Sequence, residues 1–590
     1  MKTFLLSFAG GLLALILFFV VLPLMILFTV ASGGQKEEVK GSIVLQLDLR
    51  GAYPDQAPTD GLGALFGQLS FVDILTKLHD AADDKHVKGL FIRASEAGVG
   101  SSRAEELRDA IQHLRDNGKF VITHSQGFFT GGASSYRAIA GSDEIWQQTG
   151  TDFSVPGFSL ETLFYKGLLD TLEVSAEIEA FYEYKNAPNV YKEEGYTAAH
   201  ADATRQLGES VWKVTLEDIA ADRGDKLNLN GDLRAVLEDS PYSAASAREM
   251  GLIDNLGWPE QAAFHAQQLG GNADIVDIHN YIAPVAPADA PVIALIGGEG
   301  AILPGSSGGD PFNPGASSMI ASDTLSDQIY RAGKNTNIKA IVLRVDSPGG
   351  SPSASDQIWN AIEHVQQEYS KPVVISMGSA AASGGYYISM GADKIVANRS
   401  TITGSIGVYG GKFAIADGLR KIGVNAERID IGGPYASIYT SAEQLTDVQR
   451  AKMHESLERV YERFVSLAAE GRGMERDDLH ALAKGRVWSG VDAQARGLVD
   501  QTGGLYTAVG LAKELSGIDA DKRVRLTNMR KDVTPFEVLG SLFSASSDRM
   551  DSLNAIASII GDERLTNALI QAQALEREPR QMAIAPIKEH

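Results

Sequence analysis

The segment Ile338-Lys339-Ala340-Ile341-Val342-Leu343-Arg344 is followed, after Val345, by Asp346-Ser347-Pro348-Gly349-Gly350-Ser351. Its continuous apolar run is typical of a strand that is buried on both faces of a parallel sheet. A second run of this kind, Val373-Val374-Ile375, follows a stretch from Ser355 to Tyr369 that places apolar residues at helical spacing. Because strand, helix and strand alternate, the sequence predicts parallel βαβ units and an α/β fold.

The same pattern occurs a second time, about 250 residues earlier in the chain. Internal similarity at a fixed spacing is the signature of a repeated structural unit. We therefore predict a tandem duplication of one domain. The four pairs of matching blocks begin at Val87 and Ile338, at Lys119 and Lys371, at Gly141 and Gly391, and at Tyr242 and Trp488.

The repeats and the local composition divide the chain into five parts. A Pro- and Ala-rich stretch between the two copies is typical of a semi-rigid linker, and the repeat pattern ends near residue 528. The predicted parts are a transmembrane anchor at 1–32, an amino-terminal repeat at 41–280, a linker at 281–291, a carboxy-terminal repeat at 292–527, and a helical tail at 528–590 with an amphipathic helix over 553–575.

The anchor is predicted from the stretch between Phe4 and Val30, which contains no charged residue. About 20 apolar residues cross a bilayer as a helix, whereas the apolar core of a cleaved signal peptide has only ~7–15. The length favours an uncleaved anchor, although Ala31, Ser32 and Gly33 are small enough to permit cleavage. The flanking positive charges nearly balance, and the long acidic chain that follows favours a body outside the cytoplasm.

Composition excludes several classes of function. The 590-residue chain has 53 Lys and Arg residues against 75 Asp and Glu residues, so its formal charge is −22. A surface this acidic repels phosphate backbones and disfavours general nucleic-acid binding. Cysteine is absent, which excludes disulfides, thiolate nucleophiles and Cys-ligated metal sites.

The second copy carries a glycine pair that the first copy lacks. Gly349 and Gly350 follow the predicted strand, where the first copy has Ser95-Glu96-Ala97-Gly98-Val99-Gly100. Glycines at the end of a strand allow backbone N–H groups to point at a ligand, as an oxyanion hole requires. A tight structural turn is the alternative interpretation of the same two residues.

The two copies also differ in a serine and a lysine. Ser405 lies in Thr403-Gly404-Ser405-Ile406-Gly407, where small neighbours leave a hydroxyl accessible, as a nucleophile must be. The first copy has Val155 at that position. Conversely, Lys185 of the first copy has only Tyr435 opposite it in the second. Taken alone, the serine would fit a structural turn and the lysine a solvated surface.

Three motifs in this order resemble the signal peptide peptidase A family in its long, duplicated form. They are Asp346-Ser347-Pro348-Gly349-Gly350-Ser351, Ala382-Ser383-Gly384-Gly385-Tyr386 and Thr403-Gly404-Ser405-Ile406-Gly407. The resemblance covers residues 40 to 530 together with the amino-terminal anchor. It implies two tandem domains of the Clp-protease/crotonase-like fold and a membrane-anchored serine endopeptidase with a Ser–Lys dyad.

The resemblance also assigns roles to individual residues. Ser405 is expected to be the nucleophile, and Lys185 is expected to be the general base that the amino-terminal copy contributes. The backbone N–H groups of Gly349 and Gly350 are expected to form the oxyanion hole. Lys192, seven residues after Lys185, is the alternative base.

The family's substrates and assembly complete the expectation. The resemblance implies peptide substrates, chiefly residual signal peptides, and no metal or organic cofactor. It implies a single-pass protein of the bacterial inner membrane, with its catalytic body on the periplasmic side, that forms a homotetramer. The alternatives are a catalytically inactive membrane scaffold and an acyl-CoA enzyme of the crotonase type, which shares the fold.

Overall fold

The computed structural model describes residues 41–57, 69–129, 132–306 and 319–529. The predicted anchor at 1–32 and the predicted helix at 553–575 lie outside these ranges. Among the described residues, no helix combines the length and the apolar character needed to cross a membrane.

Within the described residues, twenty strands form the framework of the fold. In the first copy they are β1 Ile43–Asp48, β2 Val87–Arg93, β3 Phe120–Ser125, β4 Glu144–Gln147, β5 Asp152–Phe153, β6 Ser175–Ala180, β7 Tyr242–Ser243, β8 Asn255–Leu256 and β9 Asp274–Asp277. In the second copy they are β10 Val292–Glu299, β11 Ala301–Leu303, β12 Met319–Ala321, β13 Ile338–Ser347, β14 Val373–Ala382, β15 Lys394–Ala397, β16 Ile402–Gly404, β17 Tyr409–Ala414, β18 Val487–Ser489, β19 Gln501–Thr502 and β20 Arg525–Asn528.

Helices alternate with these strands in the described ranges. In the first copy they are α1 Phe71–Asp83, α2 Ser101–Asp116, α3 Gly132–Ile139, α4 Lys166–Thr171, α5 Asn189–Lys192, α6 Ala198–Arg223, α7 Leu233–Glu238, α8 Ala244–Glu249 and α9 Pro259–Leu269. In the second copy they are α10 Ser322–Lys334, α11 Pro352–Tyr369, α12 Gly384–Ser389, α13 Ala416–Lys421, α14 Asp447–Arg472, α15 Arg476–Leu482, α16 Gly490–Ala495 and α17 Leu505–Leu515.

The two copies build the same parallel sheet. The first sheet has the order β8-β4-β3-β2-β1-β9 with every neighbouring pair parallel. The second has the parallel order β19-β15-β14-β13-β10-β20, with β16 branching from β14 and the antiparallel β18 beyond it. The repeated strand order confirms the predicted α/β fold and the tandem duplication.

The copies are docked through a shared hydrophobic core. Val342 of β13 and Val374 of β14 lie in the same buried cluster as Leu107 and Ile111 of α2. Helix α2 of the first copy therefore packs on the sheet of the second. Burying apolar surface is the main favourable term in association. The two copies therefore pack against each other as one body and are not two domains joined only by a linker.

A second connection between the copies is a short antiparallel ladder. Strand β6 of the first copy pairs with β17 of the second, from Ala180 opposite Tyr409 to Ser175 opposite Ala414. The ladder continues one residue further, where the Phe181 N–H donates to the Val408 carbonyl at 3.0 Å. The loop that follows β6 therefore lies against the second copy.

A buried ion cluster fixes how the copies meet. Arg344 of β13 is fully buried, and its two terminal nitrogens donate to the two carboxylate oxygens of Glu106, each at 2.8 Å. It also donates to Asp55 at 2.8 Å. Burial alone would favour the neutral acid, but the Arg344 charge and its hydrogen bonds hold the pKa of Asp55 below its usual value. Both carboxylates belong to the first copy, so the cluster joins the two domains.

A second ion cluster also joins the two copies at α2. The buried Arg137 donates to Asp218 at 2.7 Å and to the hydroxyl of Ser400, in the second copy, at 2.6 Å. The carboxylate of Glu105 accepts from the backbone N–H groups of Arg399 and Ser400 at 2.9 and 2.7 Å. Consecutive residues of α2, Glu105 and Glu106, thus serve two separate inter-copy clusters.

We predict that Arg344→Met lowers the free energy of unfolding by about 3–5 kcal/mol, because it leaves two carboxylates buried without their cation. The measurement is the midpoint of urea unfolding, followed by circular dichroism. The matched control is Arg459→Met, which removes the exposed partner of Glu455 and should change the free energy by less than ~1 kcal/mol. Equal midpoints for the two variants would show that the cluster does not hold the copies together.

Candidate active site

Lys185 lies in the loop that leaves β6, and the ladder with β17 presses this loop against the second copy. Its side chain is only 4% exposed. The lysine loop packs closely on Gly485, whose φ is +82°. A Cβ on Gly485 would lie 2.5 Å from the Lys185 nitrogen and 2.6 Å from its Cα. Glycine is therefore required at position 485 for the lysine loop to be seated this closely.

The amine of Lys185 contacts two serine residues of the second copy. Its Nζ donates to the Ser405 hydroxyl at 3.0 Å, to the Ser405 carbonyl at 2.8 Å and to the Ser383 hydroxyl at 3.0 Å. Within the described ranges no carboxylate forms an ion pair with it. Burial therefore acts unopposed and lowers the pKa of Lys185 to about 7. An amine with such a pKa is substantially neutral at physiological pH and can accept a proton.

The structure thus brings two of the sequence-predicted residues, Ser405 and Lys185, into hydrogen-bond contact. Lys192, the alternative base, ends the short helix α5 and is partly exposed. In the part of the chain that the structure describes, Lys192 makes no contact with either serine.

Ser405 follows β16 directly. Its backbone has a φ of +51°, and its N–H donates to the Arg486 carbonyl at 2.7 Å. The guanidinium of Arg486 lies 4.4 Å from the ring centre of Tyr184 and 4.8 Å from that of Trp488. Tyr184 precedes Lys185, so this one arginine contacts both the lysine segment and the serine segment.

Ser383 lies in the motif Ala382-Ser383-Gly384-Gly385-Tyr386, but the sequence alone predicts no role for its hydroxyl. It stands between β14 and α12, with φ +52° and ψ −117°, a conformation that is strained for any residue except glycine. Its N–H donates to the Gly404 carbonyl at 2.9 Å, which sets it beside Ser405. A signal for it existed in the sequence, namely a serine between small residues at the end of a buried strand.

The two predicted oxyanion-hole glycines differ in their hydrogen bonding. The Gly349 N–H already donates to the Ser347 hydroxyl at 3.1 Å. The Gly350 N–H has no partner among the described residues. Gly349 has φ +106°, and a Cβ there would lie 2.8 Å from the Cβ of Ser383 and 2.7 Å from the Gly384 nitrogen. The glycine turn therefore adjoins Ser383.

A second backbone donor faces the same place. Gly384 is the first residue of α12, so its N–H has no partner within the helix. A Cβ at this position would lie 3.0 Å from the nitrogen of Gly350. The N–H groups of Gly350 and Gly384 are therefore neighbours, and Ser383 directly precedes Gly384 in the chain.

Comparisons with known proteins agree with this arrangement. The model for peptidase family S49 matches residues 113–272 and 365–519, and the Clp protease model matches residues 315–408. Protease 4 of Salmonella typhi is 31% identical over 85% of this chain and 83% of its own length. Protease 4 of Haemophilus influenzae is 29% identical over 92% of this chain and 88% of its own length. The chloroplastic serine protease SPPA of Arabidopsis thaliana is 28% identical over 90% of this chain and 76% of its own length.

The family model covers more than half of the chain and matches each copy once. The residues that it spans include strands of both sheets, the lysine loop and both serines. The chain therefore belongs to peptidase family S49, the signal peptide peptidase A family, and is a serine peptidase built from two copies of the family's domain.

Proposed function

We propose that this peptidase works through a Ser–Lys dyad shared between its two copies, with Lys185 as the general base. The observation that carries the proposal is the position of the Lys185 amine, which is buried, 3.0 Å from two serine hydroxyls and unpaired with any carboxylate in the described ranges. An enzyme whose base and nucleophile come from different copies is active only while the copies are docked.

The chemistry follows from these contacts. Neutral Lys185 takes the proton of the serine hydroxyl as the oxygen attacks a peptide carbonyl. The tetrahedral intermediate collapses, the C–N bond breaks, and the lysine gives its proton to the leaving amine. Water then attacks the acyl-enzyme ester with Lys185 again as the base, which releases the second peptide and restores the serine.

The position of the oxyanion donors favours Ser383 as the nucleophile. The developing oxyanion must meet N–H donors while its carbonyl carbon is bonded to the attacking oxygen, and the free N–H groups of Gly350 and Gly384 flank Ser383. Its strained backbone at a strand-to-helix turn resembles the exposed nucleophile turns of other hydrolases. Ser405, which the sequence favoured, holds the lysine through both its hydroxyl and its carbonyl. We assign it the role of orienting Lys185.

We also propose the substrate and setting that the sequence predicts. Extended apolar peptides, in particular residual signal peptides, fit the family's name and the small residues around Ser383. The uncharged stretch from Phe4 to Val30 supports anchoring in the bacterial inner membrane, with the body on the periplasmic side and several chains in one assembly, as the predicted homotetramer requires. The test is cleavage of a synthetic signal peptide by the full detergent-solubilised chain, with a short acyl-CoA thioester as the alternative substrate. Hydrolysis of the thioester alone would refute this proposal.

We predict that Ser383→Ala and Lys185→Ala each reduce kcat by roughly 10⁴-fold or more, because members of one catalytic unit fail together. Ser405→Ala should lose only about 10–100-fold, since the base is misoriented but present. The measurement is hydrolysis of a fluorogenic apolar peptide, and Lys192→Ala is the matched control that keeps the wild-type rate. Background activity in Ser405→Ala with substantial activity in Ser383→Ala would return the nucleophile to Ser405.

We predict that kcat/KM falls as the pH is lowered through about 7, the pKa to which burial brings Lys185. The sign follows because the protonated amine cannot accept the serine proton, so activity is present above this pKa and lost below it. The measurement is the pH–rate profile between about pH 5.5 and 11, at about half-unit steps, with circular dichroism at each pH as the control for folding. A profile that rises only near pH 10 would mean that the lysine is solvated and is not the base.

A further inference from the structure

Residues 484–486 lie between the lysine loop and the serine segment and are here called the clamp. The carbonyl of Lys484 accepts from the Tyr184 N–H at 3.2 Å. The carbonyl of Arg486 accepts from the Ser405 N–H at 2.7 Å. Because one end of the clamp holds the residue before the lysine and the other end holds a serine, the clamp sets the distance between them.

The conformation of the clamp needs support from outside. Lys484 has φ +52° and Gly485 has φ +82°. Glycine adopts this left-handed region freely, whereas a lysine adopts it only when its surroundings enforce it. The Gly485 N–H donates to the Ile406 carbonyl at 2.8 Å, which supports the middle of the clamp. The Lys484 N–H requires a partner of its own.

Tyr461 of α14 supplies that partner. Its side chain is fully buried, and its hydroxyl accepts from the Lys484 N–H at 3.3 Å. In the described part of the chain, this N–H has no other hydrogen-bond partner. Burial raises the pKa of Tyr461, so the hydroxyl keeps its hydrogen. That hydrogen can be donated to Nδ1 of His480, which lies 2.9 Å from the hydroxyl oxygen.

The ring of Tyr461 contacts the lysine loop directly. Its centre lies 6.0 Å from that of Phe181, with the planes 25° apart, and 4.8 Å from that of Tyr182. The ring of His480 also packs edge-on against Tyr182, at 4.9 Å. Tyr461 therefore contacts the loop that carries Lys185 through its ring and the clamp through its hydroxyl.

The first copy has a different side chain at the corresponding position. Helices α6 and α14 begin and end 249 residues apart, so Trp212 corresponds to Tyr461. Trp212 likewise bonds to the short helix that follows, since its indole N–H donates to Glu238 of α7 at 2.8 Å. An indole N–H can only donate, so Trp212 cannot also accept from a backbone N–H as a hydroxyl does. The accepting group is present in the copy that holds the lysine loop.

We propose that Tyr461 is a positioning residue of the active site, whose hydroxyl holds the clamp and thereby keeps the Lys185 amine at hydrogen-bond distance from the serines. Among the described residues, Tyr461 makes no hydrogen bond to Lys185, Ser383 or Ser405, so it acts through the clamp and not on the reacting atoms. This role rests on the proposed Ser–Lys dyad.

The clamp affects the charge of the amine as well as its position. Burial alone lowers the pKa of Lys185 to about 7. The charged side chains of Glu183, in the lysine loop, and Lys484, in the clamp, pair with each other at 3.7 Å. A loosened clamp would admit water, which stabilises the ammonium form. The pKa of Lys185 would then rise toward its ordinary value of ~10.4.

The test is Tyr461→Phe, which keeps the ring and removes only the hydroxyl. We expect kcat to fall roughly 10–100-fold because the amine is displaced, while KM stays within about 2-fold because Tyr461 does not bind the substrate. The acid limb of kcat/KM should move to higher pH by ~1 unit or more. The measurement is hydrolysis of a fluorogenic apolar peptide by the full detergent-solubilised chain, from about pH 5.5 to 11.

The matched control is Tyr136→Phe. Tyr136 is also fully buried, and its hydroxyl donates to the Leu252 carbonyl at 2.6 Å, within the first copy. We expect this variant to keep the wild-type rate and acid limb. A wild-type profile in Tyr461→Phe, or a lower rate with an unmoved limb, would overturn the positioning role while Lys185→Ala stays inactive. An active Lys185→Ala would refute the dyad and this role together.

His480 gives a second test that leaves Tyr461 in place. His480 is partly exposed, so its substitution disturbs the core less. His480→Leu removes the acceptor of the Tyr461 hydroxyl and should move the acid limb in the same direction, whereas His480→Asn keeps an acceptor and should restore the wild-type limb. Tyr461→Phe combined with His480→Leu should lose no more activity than Tyr461→Phe alone. An unmoved limb in His480→Leu, or additive losses, would overturn the proposal.

Discussion

The removal of water from one lysine is the constraint on which the rest of this structure depends. An ammonium group titrates near ~10.4 in water and becomes a useful base only when burial disfavours its charge. A carboxylate near Lys185 would stabilise the protonated amine and raise its pKa again. The pocket must therefore exclude both water and acidic side chains. Neither copy provides such a pocket alone, because the lysine comes from one copy and the hydroxyls and the glycine wall come from the other.

The ion clusters at the interface between the copies help to keep Lys185 buried, because they fix how the two copies dock. A buried arginine with two carboxylates adds little net stability over an apolar contact, but it is strongly unfavourable in any arrangement that leaves one partner unpaired. Arg344 and Arg137 each satisfy their hydrogen bonds only when the second copy sits correctly on α2. They thereby select one docking geometry, and that geometry places the lysine loop beside the serines.

The sequence was sufficient for the fold, and it predicted two residues, Lys185 and Ser405, that the structure brings into contact. Continuous apolar runs and repeated blocks predicted the parallel sheets, because buried strands leave a strong local pattern. Lys185 was located through the difference between the copies. Ser383 was missed as a contact of the lysine because 198 residues separate the two in the chain and no local pattern encodes that proximity. Likewise, only the folded turn reveals that the Gly349 N–H is engaged whereas that of Gly350 is free.

The duplication gives a physical reason for the divergence of the two copies. Two identical copies would carry the same groups, whereas these copies meet through different strands, β6 of the first and β17 of the second. Fusing two copies into one chain allows each copy to change its residues independently. Lys185 of the first copy and Ser383 of the second meet at the junction whose geometry the buried clusters fix, whereas their counterparts in the other copy are Tyr435 and Ala133. Each copy thus retains only what it contributes to the shared junction, and this division of roles is what a tandem repeat makes possible.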